Sequence, residues 1–453
     1  MMTIRPTTRD ACDTSANVEG VWLLCRGIKS LLRCDEAEVV QGIARYVMSQ
    51  HGSLRLGSAL MRRTRRTPLP ALMALLGALT RFLEVRAGEH KGGAVWVARL
   101  DNERRAVETF PALLPELEWT ELMFRWRPSA ASLSALARVL STNFGSVVRR
   151  IPKIARRLHR RHEFFKVLRV VDLIGYYTRY VGIFREGHFR LALMSSHSNP
   201  HGIAFNLAAR RCGVPVVLIT HGMPVRPVAK LSYDLAVVHC EAARQTYLEA
   251  GCRMDSVLVH GRRQHYAPMP GAPLAERLSV GIFLCKDVNE GRLRAIVERL
   301  NGDPRVSRIL VRPHPKNLWL GLDSWVTSLN DPRVRRSTGG PVFRDVEASD
   351  IVLAGNSSVL VDAVTAGRPA GYVPGLDYGS RDLHAFVARG LVYLFEDERG
   401  FDPDAMQRFY RRPDWPNVLR LFANIDEDEA SVAACAAAAM RELAASHAGS
   451  PPR

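Results

Sequence analysis

The feature that most constrains this chain is a strand–helix–strand pattern within residues 190–219. Residues 190–194 form a short apolar run, 203–211 have the composition of a helix that ends at Gly213, and 214–219 form a second apolar run. Two strands joined through a helix run parallel, and the crossover is right-handed in nearly all known cases. The pattern therefore predicts an α/β domain built on a parallel sheet.

A second α/β series follows a proline-rich stretch at 267–273, which has the composition of an interdomain linker. We predict strands at 280–284, 308–311, 351–353 and 370–373, with helices at 290–300 and 358–366. A chain of 453 residues exceeds the usual size of one core. The predicted fold is α/β, with two Rossmann-like domains, a helical N-terminal region and a helical C-terminal tail. The predicted boundaries are 1–90 for the N-terminal region, 91–266 for the first domain, 267–273 for the linker, 274–415 for the second domain and 416–453 for the tail.

The net charge of +18 favours an anionic partner, such as a membrane surface, a phosphorylated substrate or nucleic acid. No zinc-finger, homeodomain or RNA-binding signature is present in the sequence, so no specific nucleic acid is expected. The eight cysteines contain no C-x-x-C pair, and no signal-peptide pattern precedes them. We expect reduced thiols, no metal site, and a cytoplasmic protein bound peripherally at the inner face of the cell membrane.

Membrane attachment is predicted from a basic segment at 147–169, where apolar residues recur at helical spacing and arginines fill the other positions. The candidate membrane-binding residues are Arg156, Arg157, Arg160 and Arg161. Such a helix can lie on an anionic leaflet, gaining roughly 1 kcal/mol per well-placed cation. It can equally pack its apolar side on the domain and leave the arginines in water.

Two stretches of the second domain have the pattern of a phosphate site. His314 stands between Arg312 and Lys316, directly after the predicted strand 308–311, where open α/β sheets bind ligands. Residues 350–362 read as a strand, a glycine turn, and then Asn356, Ser357 and Ser358 opening a helix. The free N–H groups at a helix start favour anions. Alternatively, His314 is a plain loop histidine and the serines are an ordinary N-cap pair.

In the first domain, His221 follows the predicted strand 214–219, and His197 lies at the neighbouring strand end. An imidazole with a pKa near neutrality can accept a hydroxyl proton there. Alternatively, His221 is a structural residue of a His-Gly turn. His197, His201 and His260 are interpreted as satisfied loop histidines. The polar group Asp101-Asn102-Glu103 follows a predicted strand at 94–100 and is interpreted as a solvated turn rather than a metal site.

In order and spacing, the motifs V-V-L-I-T-H-G-M-P, R-P-H-P-K and G-N-S-S-V-L-V-D-A-V-T-A-G-R-P resemble those of bacterial GT-B enzymes of surface-polysaccharide synthesis. These include capsule glycosyltransferases, CDP-glycerol glycerophosphotransferases and hydrolysing UDP-GlcNAc 2-epimerases. The resemblance implies that His314, Ser357 and Ser358 hold the nucleotide phosphates. It further implies that Asp362 meets the ribose and that His221 acts as a base on the acceptor hydroxyl.

Departures from these families shape the functional prediction. The epimerase H-R-R-E-N element is absent, and Thr220 and Met223-Pro224 flank the His-Gly pair where the glycerophosphotransferases carry other residues. We predict a glycosyltransferase that uses a nucleotide sugar as co-substrate, with no other cofactor, and a cell-envelope, capsular or lipid-linked glycan as acceptor. The alternatives are glycerophosphate transfer, epimerisation, and a non-catalytic GT-B module that binds membrane or nucleic acid.

Overall fold

A computed structural model of the protein describes residues 43, 85–86, 92–124, 164–225, 228–259, 273–286, 288–315, 319, 321–377, 382–396, 400–423 and 429–447. Several predictions lie outside these ranges. They are almost all of the N-terminal region 1–90, most of the linker 267–273, His260, Lys316, and the four arginines of the predicted membrane helix, Arg156, Arg157, Arg160 and Arg161.

The first half of the chain forms a seven-stranded sheet in the order β1-β3-β2-β4-β5-β6-β7. Its strands are β1 (Val85–Arg86), β2 (Ala94–Val97), β3 (Trp119–Phe124), β4 (Leu191–Met194), β5 (Val216–Ile219), β6 (Ser232–Val238) and β7 (Arg253–Val259). All neighbouring strands pair in parallel, except that the short edge strand β1 runs antiparallel to β3. The predicted parallel sheet is thereby confirmed.

The second half forms a six-stranded, wholly parallel sheet in the order β10-β9-β8-β11-β12-β13. Its strands are β8 (Leu278–Phe283), β9 (Val306–Arg312), β10 (Val334–Arg336), β11 (Ile351–Ala354), β12 (Ala370–Tyr372) and β13 (Tyr393–Leu394). The edge strands β10 and β13 were not predicted. Strand β10 has one apolar residue followed by two arginines, whereas β13 lies in an apolar run at 391–395 that the sequence analysis missed. The two Rossmann-like sheets confirm the predicted fold class.

Helices cover both sheets. In chain order they are α1 (Asp101–Val107), α2 (Phe110–Leu113), α3 (Phe164–Gly187), α4 (Pro200–Arg211), α5 (Glu241–Glu249), α6 (Glu290–Asn301), α7 (Leu322–Ser328), α8 (Val342–Glu347), α9 (Val359–Thr365), α10 (Pro403–Tyr410), α11 (Trp415–Phe422) and α12 (Glu429–Ser446). Covering helices on both faces explain why the strands read as continuous apolar runs.

The C-terminal helix α12 belongs structurally to the first sheet. Alternate residues of β2 face opposite sides: Val95 and Val97 pack in the same core as α3 and α4, whereas Ala94 and Trp96 pack in the core that contains Met440 of α12. The predicted tail helix is thus confirmed, and the chain crosses back from the second sheet to complete the first.

The second half of the chain also contacts the first through α5. The guanidinium of Arg389 donates to the backbone oxygen of Ala242 at 3.0 Å and lies 3.2 Å from the carboxylate of Glu249. Helix α11 packs against the same helix. The two sheets are therefore joined by side-chain contacts as well as by the return of the chain.

Each sheet has one point where the strand order reverses. In the first sheet, β2 lies between β3 and β4, and in the second sheet β8 lies between β9 and β11. The carboxyl ends of the strands that flank such a point form the ligand crevice of open α/β sheets. The loops after β2, β4, β8 and β11 are consequently where a site is expected.

Candidate functional site

Three histidines follow consecutive strands at the carboxyl edge of the first sheet, His197 after β4, His221 after β5 and His239 after β6. Each ring presents Nδ1 to a hydroxyl. The Nδ1 of His197 lies 2.8 Å from Tyr247 Oη, and that of His221 lies 2.8 Å from Ser195 Oγ. The Nδ1 of His239 lies 3.0 Å from the hydroxyl of Thr220, which itself directly precedes His221. These pairs fix the ring orientations at the sheet edge.

The environments of His197 and His221 differ. His197 is buried, and burial lowers its pKa to about 3, with a further contribution from the nearby His221. It is therefore neutral at physiological pH, and it lies as predicted in the loop between β4 and α4, where Tyr247 and the core enclose it. His221 is partly exposed, and of these three histidines it is the one that a ligand can reach.

Glu103 lies beside the strand reversal of the first sheet, and its interpretation as part of a solvated turn is wrong. Its side chain is fully buried in the first turn of α1. Its Oε2 accepts the backbone N–H groups of Arg99 at 2.8 Å and Leu100 at 3.2 Å. Because the first N–H groups of a helix have no partner within it, the carboxylate stabilises the start of α1 and the end of β2.

His201 packs next to Glu103, in the first turn of α4 rather than in a loop. Its Nε2 is 4.0 Å from Glu103 Oε2, and its ring contacts Phe124 edge to face at 5.3 Å. Burial lowers the pKa of His201 to about 4, although Glu103 raises it and Arg99 lowers it further. Neither ring nitrogen has a hydrogen-bond partner within the residues that the structure describes. This arrangement holds a neutral histidine under the crevice.

In the second sheet, Ser357 and Ser358 stand between β11 and α9, beside the point of strand reversal. Both are partly exposed. The Ser357 hydroxyl accepts the backbone N–H of Val359 at 3.4 Å, whereas the Ser358 side chain makes no capping bond to α9. Among the described residues, the Ser358 hydroxyl is thus not used by the protein itself and is available to a ligand.

His314 and Lys286 are exposed at neighbouring strand ends. His314 follows β9 as predicted, and Lys286 follows β8, the strand at the reversal point. The sequence analysis missed Lys286. The signal was present, because Lys286 lies two residues after the predicted strand 280–284, the first strand of the second series. Two cationic or cationisable side chains therefore border the serine loop.

Arg312 is less accessible to a ligand than predicted. Its guanidinium is paired with the carboxylate of Asp345 and donates to the backbone oxygens of Gly340 at 2.5 Å and Pro341 at 3.4 Å. Its side chain is only 12% exposed. A phosphate would have to compete with Asp345, so the geometry gives Arg312 the role of holding the loop between β10 and α8.

Asn356 likewise serves the loop itself. Its side-chain N–H groups reach Asp377 Oδ1 at 3.2 Å and Tyr372 Oη at 3.4 Å, and its Oδ1 accepts the backbone N–H of Leu383 at 2.8 Å. Its own backbone N–H donates to Asp377 Oδ2 at 2.6 Å. The amide therefore shapes the loop that precedes Ser357.

Asp362 lies in the first turn of α9, four residues after Ser358, and is buried. It lies on the short helix that directly follows the serines. The contact with a ribose that the resemblance implies stays a prediction.

Within the described ranges, no group of three or more His, Cys, Asp or Glu side chains is arranged to hold a metal ion. No described helix is long and apolar enough to cross a membrane.

No protein-family model matches the chain, and no curated protein matches its sequence. Solved structures similar to the chain include a co-structure of S. aureus MnaA with UDP, with 13% identity, a TM-score of 0.43, and coverage of 80% of this chain and 99% of that one. The UDP-GlcNAc 2-epimerase from Neisseria meningitidis bound to UDP-GlcNAc has 14% identity, a TM-score of 0.41, and coverage of 78% and 100%. The lipopolysaccharide outer core galactosyltransferase WaaB has 11% identity, a TM-score of 0.40, and coverage of 78% and 99%. The two-sheet architecture of this protein is established by its own strand order.

Proposed function

We propose that the protein is a GT-B-type glycosyltransferase that moves a sugar from a nucleotide-activated donor to a hydroxyl of a cell-envelope, capsular or lipid-linked glycan. The observation that carries this proposal is the pairing of two parallel sheets whose reversal points both carry polar side chains. In the first sheet, Ser195 follows β4 at the reversal and bonds to partly exposed His221 after the neighbouring β5, and in the second sheet the Ser357-Ser358 loop follows β11. One edge can hold an acceptor and the other a donor.

The donor's phosphates are assigned to the second domain. Ser358 offers a hydroxyl that no described residue uses, and His314 and Lys286 border the same crevice, with Lys316 two residues after His314 in the sequence. Hydroxyl, imidazole and ammonium groups are suitable partners for phosphate oxygens. Asn356 and Arg312 hold the loops in place, and Asp362 is assigned to the ribose hydroxyls.

The transfer needs few groups from the protein. The acceptor oxygen forms a bond to the anomeric carbon of the sugar, and the bond from that carbon to the donor's phosphate oxygen breaks. The bonding electron pair leaves with the phosphate, and the proton of the acceptor hydroxyl leaves with that phosphate. His221 is the residue of the first domain that we assign to this centre, and the nucleotide sugar is the only co-substrate that the proposal requires.

A place at the inner face of the cell membrane is part of the same proposal. The net charge of +18 and the arginines at 156, 157, 160 and 161 suit attraction to anionic lipids. A transferase that acts on a lipid-linked acceptor benefits from being held near the bilayer.

The test is a panel of UDP-, GDP-, CDP- and CMP-linked sugars, together with CDP-glycerol, added to the wild-type chain and to the Ser357→Ala/Ser358→Ala variant. We expect at least one sugar donor to raise the melting temperature of the wild type, and less so that of the variant, since ligands that bind only the folded state stabilise it. No shift with any donor would refute nucleotide-sugar binding. A shift with CDP-glycerol alone would identify a glycerophosphotransferase instead of a glycosyltransferase. Conversion of UDP-GlcNAc to its epimer without an acceptor would identify an epimerase.

A further inference from the structure

The hydroxyl–imidazole pairs at the edge of the first sheet determine which ring nitrogen carries the proton. In each pair the hydroxyl lies against Nδ1, at 2.8 Å for Tyr247 with His197 and at 2.8 Å for Ser195 with His221. A neutral imidazole has one N–H donor and one lone pair, and the partner of one nitrogen decides the state of the other.

The pair of Tyr247 and His197 favours one arrangement, in which the Nε2 of His197 has no hydrogen-bond partner among the described residues. Tyr247 is fully buried, and burial holds its pKa well above the usual value, so its hydroxyl keeps its proton. Within the described part of the chain, the only hydrogen bond of this hydroxyl is to His197. Because an imidazole nitrogen accepts a hydrogen bond more strongly than a phenol oxygen does, the Tyr247 O–H donates to Nδ1, and the neutral ring of His197 carries its proton on Nε2.

The same reasoning applies to Ser195 and His221. Ser195 is fully buried, and among the described residues its hydroxyl bonds only to His221. If Nδ1–H of His221 donated to Ser195, the serine's own proton would be buried without an acceptor, which is unfavourable. With the serine as donor, both its proton and the Nδ1 lone pair are satisfied.

We propose that Ser195 is a positioning residue that holds neutral His221 in the Nε2–H form, so that Nε2 of His221 is a hydrogen-bond donor and not a base. The inference deepens the proposed function and, for its catalytic consequence, depends on it. His221 would then donate to an oxygen of the departing phosphate, and the proton of the acceptor hydroxyl would leave with that phosphate. This role differs from the base that the family resemblance implies.

The first test needs no substrate. Two-dimensional 15N–1H NMR of full-length protein labelled with 15N-histidine distinguishes protonated from unprotonated ring nitrogens, with assignment from the His197→Phe and His221→Gln variants. We expect neutral His197 and His221 to carry their protons on Nε2. His197 is the internal reference, because its hydroxyl partner is equivalent and it stays neutral.

Two variants, one of Ser195 and one of Tyr247, complete this test. Ser195→Ala should introduce the Nδ1–H form at His221 and leave His197 unchanged, whereas Tyr247→Phe should do the reverse. An Nδ1–H ring at His221 in the wild type, or a His221 signal unaffected by Ser195→Ala in a folded protein, would overturn the proposal.

The second test compares His221→Gln with His221→Ala and His221→Asn, using whichever donor the panel identifies. A glutamine amide N–H reaches about where Nε2–H lies, an asparagine amide does not, and neither amide can act as a base. Loss of one positioned hydrogen-bond donor typically lowers turnover about 100-fold or more. We expect the turnover of His221→Gln to be at least about tenfold higher than that of His221→Ala. Equal turnover in the glutamine and alanine variants would refute the donor role. If no donor is turned over, the proposed function fails, while the NMR result still decides the protonation state.

Discussion

Replacing Gly355 by alanine tests how the loop before Ser357 is built. A Cβ at this position would lie 2.6 Å from Asp377 Oδ2 and 3.0 Å from its Cγ, closer than such atoms approach. Asp377 is buried, and its Oδ2 accepts the backbone N–H of Asn356 at 2.6 Å. The carboxylate therefore cannot move without weakening that bond. Overpacking typically costs about 1–3 kcal/mol and loss of a hydrogen bond to a charged group about 1.5–3 kcal/mol, so Gly355→Ala should destabilise by about 2–4 kcal/mol.

Gly291→Ala is the matched control. Gly291 lies exposed in α6, and the nearest atom to a Cβ there is Asn289 Oδ1 at 3.7 Å, an ordinary contact. Alanine is a better helix former than glycine, so this variant should be neutral or more stable by up to about 1 kcal/mol. Urea denaturation monitored by tryptophan fluorescence measures both. If Gly355→Ala unfolds at the same urea concentration as Gly291→Ala, the close contact with Asp377 is not a constraint.

Two further predictions concern pH and membranes. Burial lowers the pKa of His197 to about 3 and that of His201 to about 4, both below the usual 6.5. As the pH falls, these histidines therefore bind protons in the unfolded chain before they do so in the folded protein. Between about pH 6.5 and pH 4 the free energy of unfolding should therefore fall on acidification, by up to about 1.4 kcal/mol per pH unit for each histidine. The double variant His197→Phe/His201→Phe should show a smaller dependence of this free energy on pH. A protein that becomes more stable on acidification in this range would contradict the burial of both rings. Changing Arg156, Arg157, Arg160 and Arg161 to glutamine should reduce flotation with anionic liposomes, at roughly 1 kcal/mol per cation, and should not affect neutral liposomes. Equal flotation of variant and wild type would assign the segment to ordinary packing.

The strands and helices that position the site were predictable because their signals are local. The apolar runs before His221 and His314 became β5 and β9, and the glycine turn before Ser357 directly follows β11. Parallel pairing followed from the helices between the strands. Once the strands and their parallel pairing were predicted, the positions of these side chains at the carboxyl edges of the two sheets followed directly.

The errors arose where a side chain's partner is distant or unusual. Glu103 looked like a surface carboxylate because the residue at the helix start is Leu100, which lacks the side-chain oxygen that normally signals a cap. His201 was predictable in part, since Pro200 occupies a first-turn position that favours a helix start. Arg312 was assigned to phosphate because its partner Asp345 lies on α8, beyond the reach of local patterns.

The pairing of hydroxyls with histidines also required the fold. Tyr247 is separated from His197 by 50 residues, and Ser195 from His221 by 26, so only the adjacency of β4, β5 and α5 brings them together. The histidines could be found by their position after strands. Their protonation states could not be predicted from the sequence, because these states depend on the hydroxyl that contacts each ring.

Nucleotide binding at the serine loop is the central claim, and isothermal titration of the donor found by the panel measures it most directly. The variants are His314→Ala and Ser358→Ala, and the control is Ser307→Ala, which lies at the amino end of β9, where its hydroxyl donates to the backbone oxygen of Leu278 at 3.2 Å. We predict that each site variant weakens binding by about 1–3 kcal/mol, as expected for lost hydrogen bonds to a charged ligand, and that the control binds as the wild type does. Wild-type affinity in both site variants, with the fold intact, would contradict the assignment of the phosphate site.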